Sequence, residues 1–137
     1  MASIFELEQP VFDRMNASIE LVAASDEDTT LTAAQSVNSL VVMTPTDNRN
    51  VTTATAAAIV AELGSGVRVG TTFRIILRNQ AAATYAMTLV GNTGVTLDAD
   101  NTNTAIDSAT REFIGRVTAI ASGSETVTVY SMPGGTH

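Results

Sequence analysis

The sequence predicts a mainly β protein: an antiparallel β-sandwich or small, jelly-roll-like barrel, with one short inserted α-helix and an extended N-terminal arm. The first observation is composition, because the chain has 20 alanines, 14 valines and 21 threonines but only six Phe or Tyr residues. Small and β-branched side chains suit strands in thin layers better than a leucine-filled helical bundle. The second observation is a series of short, alternating segments separated by turn residues, which is typical of sandwiches and barrels.

Three parts are predicted along the chain: an acidic N-terminal arm (1–29), a β-rich domain (30–132) and a flexible C-terminal tail (133–137). The first thirty residues hold seven of the 14 acidic residues and one arginine, so most of the net charge of −7 lies there. Their larger apolar residues show no sustained period of two. Two interpretations stay open: a helix or strand packed on its own domain, or an arm whose apolar residues are buried only against a partner.

The β-rich domain is expected to contain eight strands, most of them bounded by Gly, Pro, Asn or Ser turns. The strand over 72–78 shows the alternation clearly, with Phe73, Ile75 and Leu77 on one face. Because the turn signals are closely spaced and no βαβ rhythm is visible, antiparallel pairing is predicted. The predicted strands cover 30–33, 38–44, 49–52, 72–78, 83–90, 95–97, 111–120 and 125–132.

One segment, 54–63, changes to helical spacing. Ala56, Ile59, Val60 and Leu63 fall on one face of a helix in this register. Thr53 is expected to cap its start, and Gly64 provides the left-handed conformation that ends a helix.

Composition excludes several classes of function. With seven arginines, no lysine and a net charge of −7, the chain lacks the basic face of a nucleic-acid-binding protein. No apolar run approaches the ~20 residues of a membrane span, and the first residues do not resemble a signal peptide. The chain has no cysteine, which excludes disulfides, thiolate metal sites and cysteine nucleophiles. We therefore expect neither nucleic-acid nor membrane partners.

No catalytic residues, cofactor or metal site are predicted, and the protein is not expected to be an enzyme. The single histidine, His137, is the last residue and is not placed to activate a nucleophile. The glycines of 64–70 do not have the spacing of a phosphate-binding loop, and they follow a helix rather than precede one. The polar segment 98–103 begins like a calcium loop but lacks the required glycine and glutamate.

Two groups of charged residues remain. The acids Asp26, Glu27 and Asp28 are expected to be solvated, since no patterned element would bury them. Arg74 and Arg78 are predicted to lie on one face of a strand, with Arg68 nearby. Two interpretations stay open: they are exposed strand residues, or in an assembly Arg68, Arg74 and Arg78 form inter-subunit ion pairs, for example with the acids of another subunit's arm.

The segments 29–63, 67–97 and 108–132 resemble small virion proteins of tailed phages, namely capsid decoration (cement) proteins and head-fibre modules. The similarity lies in LTAAQ, VVMTP, the Ala-rich helix, VGTTFRIILRN, TLVGNTGVTL and SGSETVTVY. It covers 29–132 and excludes most of the arm. The resemblance implies a β-rich module, commonly trimeric, on the outside of an icosahedral capsid.

We therefore expect a homotrimeric decoration protein, assembled in a bacterial cytoplasm, that binds the capsid exterior and bridges neighbouring major capsid subunits. The alternative is a head-fibre, tail or baseplate module with a receptor- or glycan-binding tip. Apolar residues of the arm are the hypothetical contacts with the capsid: Ile4, Phe5, Leu7, Phe12 and Met15.

Overall fold

The computed structural model describes residues 18–98, 103–105 and 108–132, and these residues form ten strands and two helices. The mainly β, sandwich-like fold with a short helix is confirmed, and a second, one-turn helix precedes the expected one. The elements are β1 (Glu20–Ala23), β2 (Thr29–Thr30), α1 (Ala33–Ser36), β3 (Ser39–Met43), β4 (Arg49–Thr52), α2 (Ala56–Leu63), β5 (Thr72–Asn79), β6 (Met87–Val90), β7 (Val95–Leu97), β8 (Thr104–Ala105), β9 (Thr110–Ala119) and β10 (Thr126–Met132).

Both sheets of the described chain mix parallel and antiparallel pairs. The six-stranded sheet has the order β1-β3-β5-β9-β10-β7, and the four-stranded sheet has the order β2-β4-β6-β8. Strands β1, β3 and β5 are parallel, as are β2, β4 and β6, and β7 is parallel to β10. Among the strand pairs that the structure describes, only β5–β9, β9–β10 and β6–β8 are antiparallel. The expected antiparallel pairing is therefore found only in part.

The parallel pairs arise because the chain winds through the two sheets in three coils. Coil 1 (20–38), coil 2 (39–71) and coil 3 (72–90) each place one strand in the six-stranded sheet and the next strand in the four-stranded sheet. Successive coils run in the same direction, so equivalent strands stack in parallel. The β9–β10 hairpin then adds to the open side of β5 in antiparallel register.

A short sequence repeat accompanies the first two coils. Thr-x-Thr-Ala-Ala occurs at 30–34 and again at 53–57. Its second threonine is the N-cap of a helix in both places: the Thr32 side chain accepts a hydrogen bond from the main-chain N–H of Gln35, and Thr55 accepts one from that of Ala58. The same capping chemistry thus begins α1 and α2 at equivalent positions of the two coils.

Helix α2 buries Ala56, Ile59 and Val60 and ends at Gly64, whose φ of 87° lies in the left-handed region. The end of the helix was predicted correctly. The predicted cap, Thr53, was wrong by two residues. Thr53 is buried instead, and its hydroxyl donates to the Ala54 carbonyl and accepts from the N–H of Asn92.

Hydrogen bonds from side chains to the main chain join neighbouring coils. The Ser36 hydroxyl of coil 1 accepts from the N–H of Ala54 in coil 2 at 2.9 Å. The Asn48 side chain of coil 2 accepts from the N–H of Ala86 in coil 3 at 3.0 Å. These bonds satisfy main-chain donors at bends, where no strand partner is available.

The buried apolar side chains of the described residues form one core between the two sheets. Phe73, Ile75 and Leu77 point into it from β5, which confirms the predicted inner face of that strand. Phe113 lies opposite Ile75, and Gly115 lies opposite Phe73. The largest fully buried side chains are Phe73, Phe113, Met43, Ile59, Ile75, Leu77, Met87, Leu89, Val41, Val51, Val117 and Val127.

Part of the predicted arm belongs to the sheets. Strand β1 pairs with β3 from Glu20 to Ala23, and Val22 contributes to the core. The proposed capsid contacts at Ile4, Phe5, Leu7, Phe12 and Met15 lie outside the described residues, as does the tail 133–137.

Candidate functional site

The candidate site is the outer face of the six-stranded sheet, meaning the face turned away from the four-stranded sheet. Cross-strand neighbours in register share a face of a sheet. The pairing of β1, β3, β5, β9 and β10 therefore places one row of side chains across five strands, and this row contains four large apolar residues and one acid. Its members are Leu21, Leu40, Ile76, Glu112 and Met132. We call this set the apolar row.

The two ends of the apolar row are strongly exposed. Leu21 has 67% of its surface exposed, the largest value among the large apolar side chains of the described residues, and Met132 has 44%. Tyr130, two residues from Met132 on the same strand and face, is 39% exposed. Single exposed apolar residues are ordinary, but Leu21, Tyr130 and Met132 lie on one face of a sheet whose middle also carries the half-buried Leu40 and Ile76, which makes this face the candidate contact surface.

An ion pair crosses the middle of the outer face. The Nε atom of Arg74 lies 2.6 Å from a carboxylate oxygen of Glu112, and both side chains are more than a third exposed. An exposed pair of this kind contributes little to stability. It does neutralise the only acid of the apolar row, which lowers the cost of covering the face.

The three arginines predicted to form inter-subunit ion pairs lie in two parts of the fold. Arg74 and Arg78 share the outer face of β5, as predicted, and Arg78 donates to the Ser108 carbonyl at 2.9 Å. Arg68 is exposed in the segment between α2 and β5, where its main-chain N–H donates to the Thr71 hydroxyl. The ion pair that the described residues show for Arg74 is made within the chain, to Glu112. Inter-subunit pairing of these arginines stays a prediction.

The acidic turn between β1 and β2 has a structural role that the sequence did not reveal. One carboxylate oxygen of Asp26 accepts from Arg49 at 2.9 Å and from the Thr46 N–H at 3.0 Å, and the other accepts from the Thr46 hydroxyl. The hydrogen bond from Arg49, followed by those from Thr46, lowers the pKa of Asp26 from 3.8 to about 2. Asp28 accepts from the N–H of Asn50. The turn thus clamps coil 1 to coil 2.

Two hydroxyls are buried on the inner face of the same sheet. Ser39 and Ser131 lie in one cross-strand row with Ile75 and Phe113 between them. Neither hydroxyl has a hydrogen-bond partner among the described residues. They are separated by large apolar side chains, so the pair is not a reactive centre.

The described ranges contain no group of three or more His, Cys, Asp or Glu residues arranged to hold a metal ion. No helix in the part of the chain that the structure describes has the length and hydropathy to span a membrane. Comparison of the chain with protein-family models, with curated proteins and with solved structures gives no match.

Proposed function

We propose that this protein is a structural protein of a phage virion, which binds the outside of the capsid as a homotrimer and bridges neighbouring major capsid subunits. The apolar row on the outer face, exposed at Leu21 and Met132, carries the proposal, because a protein that acts by adhesion needs apolar surface that its own fold leaves uncovered. The resemblance of 29–132 to cement proteins supports the choice of capsid as partner. Assembly takes place in the bacterial cytoplasm, and the mature site is the virion exterior.

The mechanism is stabilisation by mass action. A ligand that binds only the closed shell lowers the free energy of that state, and the effect grows with the number of bound copies. A protein bound to two capsid subunits must dissociate from at least one of them before those subunits can separate. No substrate, cofactor or covalent step is involved.

A protein that bridges subunits must itself resist deformation. The hydrogen bonds between coils support this property, since they tie each bend of the chain to the next at Ser36, Asn48 and Asp26. Mechanical strain in the capsid would then act on the contacts between this protein and the capsid subunits rather than deform the protein itself.

The test uses capsids of the phage that encodes the chain, prepared without this protein. Added wild-type protein should bind to them and raise the temperature at which they open. Phe12→Ser, in the proposed contact segment, should weaken binding at least tenfold, about 1.4 kcal/mol. Val69→Ser is the matched control, because Val69 is 52% exposed and lies between α2 and β5, outside the proposed contact segment. Failure of the wild-type protein to bind would contradict the proposed function.

A head-fibre, tail or baseplate module with a receptor- or glycan-binding tip is the second candidate. Exposed aromatic side chains favour it, because they stack on sugar rings, and Tyr85 and Tyr130 are 37% and 39% exposed. Labelled protein should then bind host cells, and Tyr85→Ala should reduce that binding. Binding to capsids but not to cells would exclude this candidate.

A further inference from the structure

We infer that residues 1–17 lie across the outer face of the six-stranded sheet of the same molecule while the protein is free, and that their apolar side chains cover the apolar row. The N-terminal segment then packs on its own domain, which is the first of the two interpretations that the sequence leaves open. The observations that support this contact do not depend on the proposed capsid or trimer.

The first observation is where the segment joins the described chain. Ser18 is the first described residue and lies two residues before β1, which is the outermost strand of the six-stranded sheet. Strand β1 carries Leu21, the most exposed end of the apolar row, and Ile19 just before β1 is 41% exposed. Residues 1–17 therefore lead directly into the apolar edge of the outer face.

The second observation is length. The apolar row crosses five strands, which at a spacing of about 4.8 Å span about 19 Å. Seventeen residues measure about 25 Å as a helix and about 56 Å as an extended chain. In either form the segment is long enough to reach from Leu21 to Met132, at the far end of the row.

The third observation is that the segment and the face have complementary chemistry. Three acids and one arginine give the segment a net charge of −2, and seven of its residues are large and apolar: Met1, Ile4, Phe5, Leu7, Val11, Phe12 and Met15. The outer-facing positions of β5 and β9 carry three arginines and one acid, a net charge of +2. The acid, Glu112, is paired with Arg74, so Arg78 and Arg116 have no carboxylate partner in the part of the chain that the structure describes. Opposite charges therefore attract the segment to this face.

The fourth observation is that the other sheet does not offer an equivalent surface. Its outer-facing cross-strand pairs are mainly polar: Thr30 with Thr52, Asn50 with Thr88, and Thr88 with Thr104. An apolar segment gains little by covering hydroxyl and amide groups that are already hydrated. The six-stranded sheet is therefore the better partner for residues 1–17.

A contact within one molecule also needs less area than a contact between molecules. The outer face measures about 19 Å across the strands and about 23 Å along the seven residues of β10, an area on the order of 400 Å². A stable pair of separate proteins buries at least about 1,200 Å². The chain connection keeps the segment at a high effective concentration beside the face, so a small contact is sufficient.

The contact has a consequence for capsid binding, and this consequence rests on the proposed function. The described fold leaves the row uncovered, and the segment covers it only until a capsid displaces the segment. Both proposed adhesive parts, the segment and the row, then become available together. The capsid must therefore bind Phe12 more strongly than the row does.

The test measures the protection of the row in the full chain, using single cysteines in a protein that has none of its own. In Met132→Cys the thiol should react slowly with a maleimide. Adding Phe5→Ser and Phe12→Ser should speed that reaction at least tenfold, because the row is then uncovered. In Val69→Cys, which places the thiol at an exposed position between α2 and β5, the same two substitutions should leave the rate unchanged.

Cross-linking locates the segment directly. Gln9→Cys combined with Thr110→Cys, on the outer face of β9, should form a cross-link within one molecule when treated with a short bis-maleimide. Gln9→Cys combined with Asn50→Cys, on the outer face of the four-stranded sheet, is the matched control and should give little product. A mixture of the single variants Gln9→Cys and Thr110→Cys should give no covalent dimer.

Each outcome supports or overturns the contact. Equal maleimide rates for Met132→Cys with and without the serine substitutions would overturn it, and so would a covalent dimer from the mixture, because the segment would then cover a second copy. Faster reaction at both Met132→Cys and Val69→Cys would show that the substitutions loosen the whole fold. The cross-linking yields then decide, and equal yields with Thr110→Cys and Asn50→Cys contradict the contact. Because no measurement uses a capsid, failure here leaves the proposed function standing, and failure of capsid binding leaves this contact standing.

Discussion

Gly115 on β9 is a position where the structure leaves no room for a side chain. It lies opposite Phe73 of β5, and a Cβ atom added there would overlap the Phe73 ring, with two ring carbons at 2.5 and 2.6 Å. Phe73 is only 2% exposed, so its ring cannot turn outward. The ring must adopt a strained rotamer, or β5 and β9 must separate.

Gly115→Ala should therefore destabilise the fold by about 2 kcal/mol, within the range measured for overpacked cores. For a domain of this size that loss lowers Tm by about 8 °C. The measurement is urea unfolding followed by circular dichroism. Gly66→Ala is the matched control, because an added Cβ there meets nothing within 4 Å and the position has no positive φ.

A second substitution tests whether the cause is steric. Phe73→Leu shortens the side chain that the new Cβ would meet. Gly115→Ala combined with Phe73→Leu should be more stable than the sum of the single losses predicts, by about 1 kcal/mol. Strict additivity, or a Gly115→Ala protein as stable as the Gly66→Ala control, would refute the steric argument.

Three further predictions concern buried and clamping polar groups. Ser39→Ala should leave the free energy of unfolding unchanged or raise it by up to about 1 kcal/mol, because the buried Ser39 hydroxyl has no hydrogen-bond partner among the described residues. Ser36→Ala should lower the free energy of unfolding by about 1–3 kcal/mol in the same urea assay, because the substitution leaves the N–H of Ala54 unpaired. Asn79→Leu should lower the free energy of unfolding by about 3 kcal/mol. The Asn79 side-chain amide donates to the carbonyls of Tyr85 and Ala105 and accepts from the N–H of Ala81. Stability equal to that of the wild type would contradict a structural role for these hydrogen bonds. The pKa of Asp26 is depressed in the folded state, so its contribution to stability is complete above pH 3.8 and declines as the pH falls towards 2. Asp26→Asn should therefore remove the loss of stability between pH 3.8 and 2. Identical plots of stability against pH for the wild type and Asp26→Asn would exclude the proposed clamp.

Local patterns in the sequence predicted individual elements well. Alternation located β5, β9 and β10 and the inner face of β5, and helical spacing located α2. These signals are local, because each depends on which side of a single strand or helix is buried. The predicted strand over 83–90 was too long, since only 87–90 pairs with β4 and β8.

Pairing direction depends on distant parts of the chain, and this is where the sequence prediction was incomplete. Leu40 of β3 pairs with Ile76 of β5, which is 36 residues later. Neither periodicity nor turn composition encodes such a register. The repeated Thr-x-Thr-Ala-Ala at 30–34 and 53–57 was a usable signal, because two equal strand-cap-helix units in succession favour stacked coils and hence parallel strands.

The candidate site follows from the same register. In the sequence, Ile76 lies between Arg74 and Arg78 on the polar side of one strand. A single apolar residue in such a place does not indicate an apolar surface. Parallel stacking aligns Ile76 with Leu40 and Leu21, and the antiparallel hairpin extends the alignment through Glu112 to Met132. A shift of one residue between β3 and β5 would turn Leu40 towards the core and break the row. The apolar row is thus a property of the coil stacking rather than of any one strand.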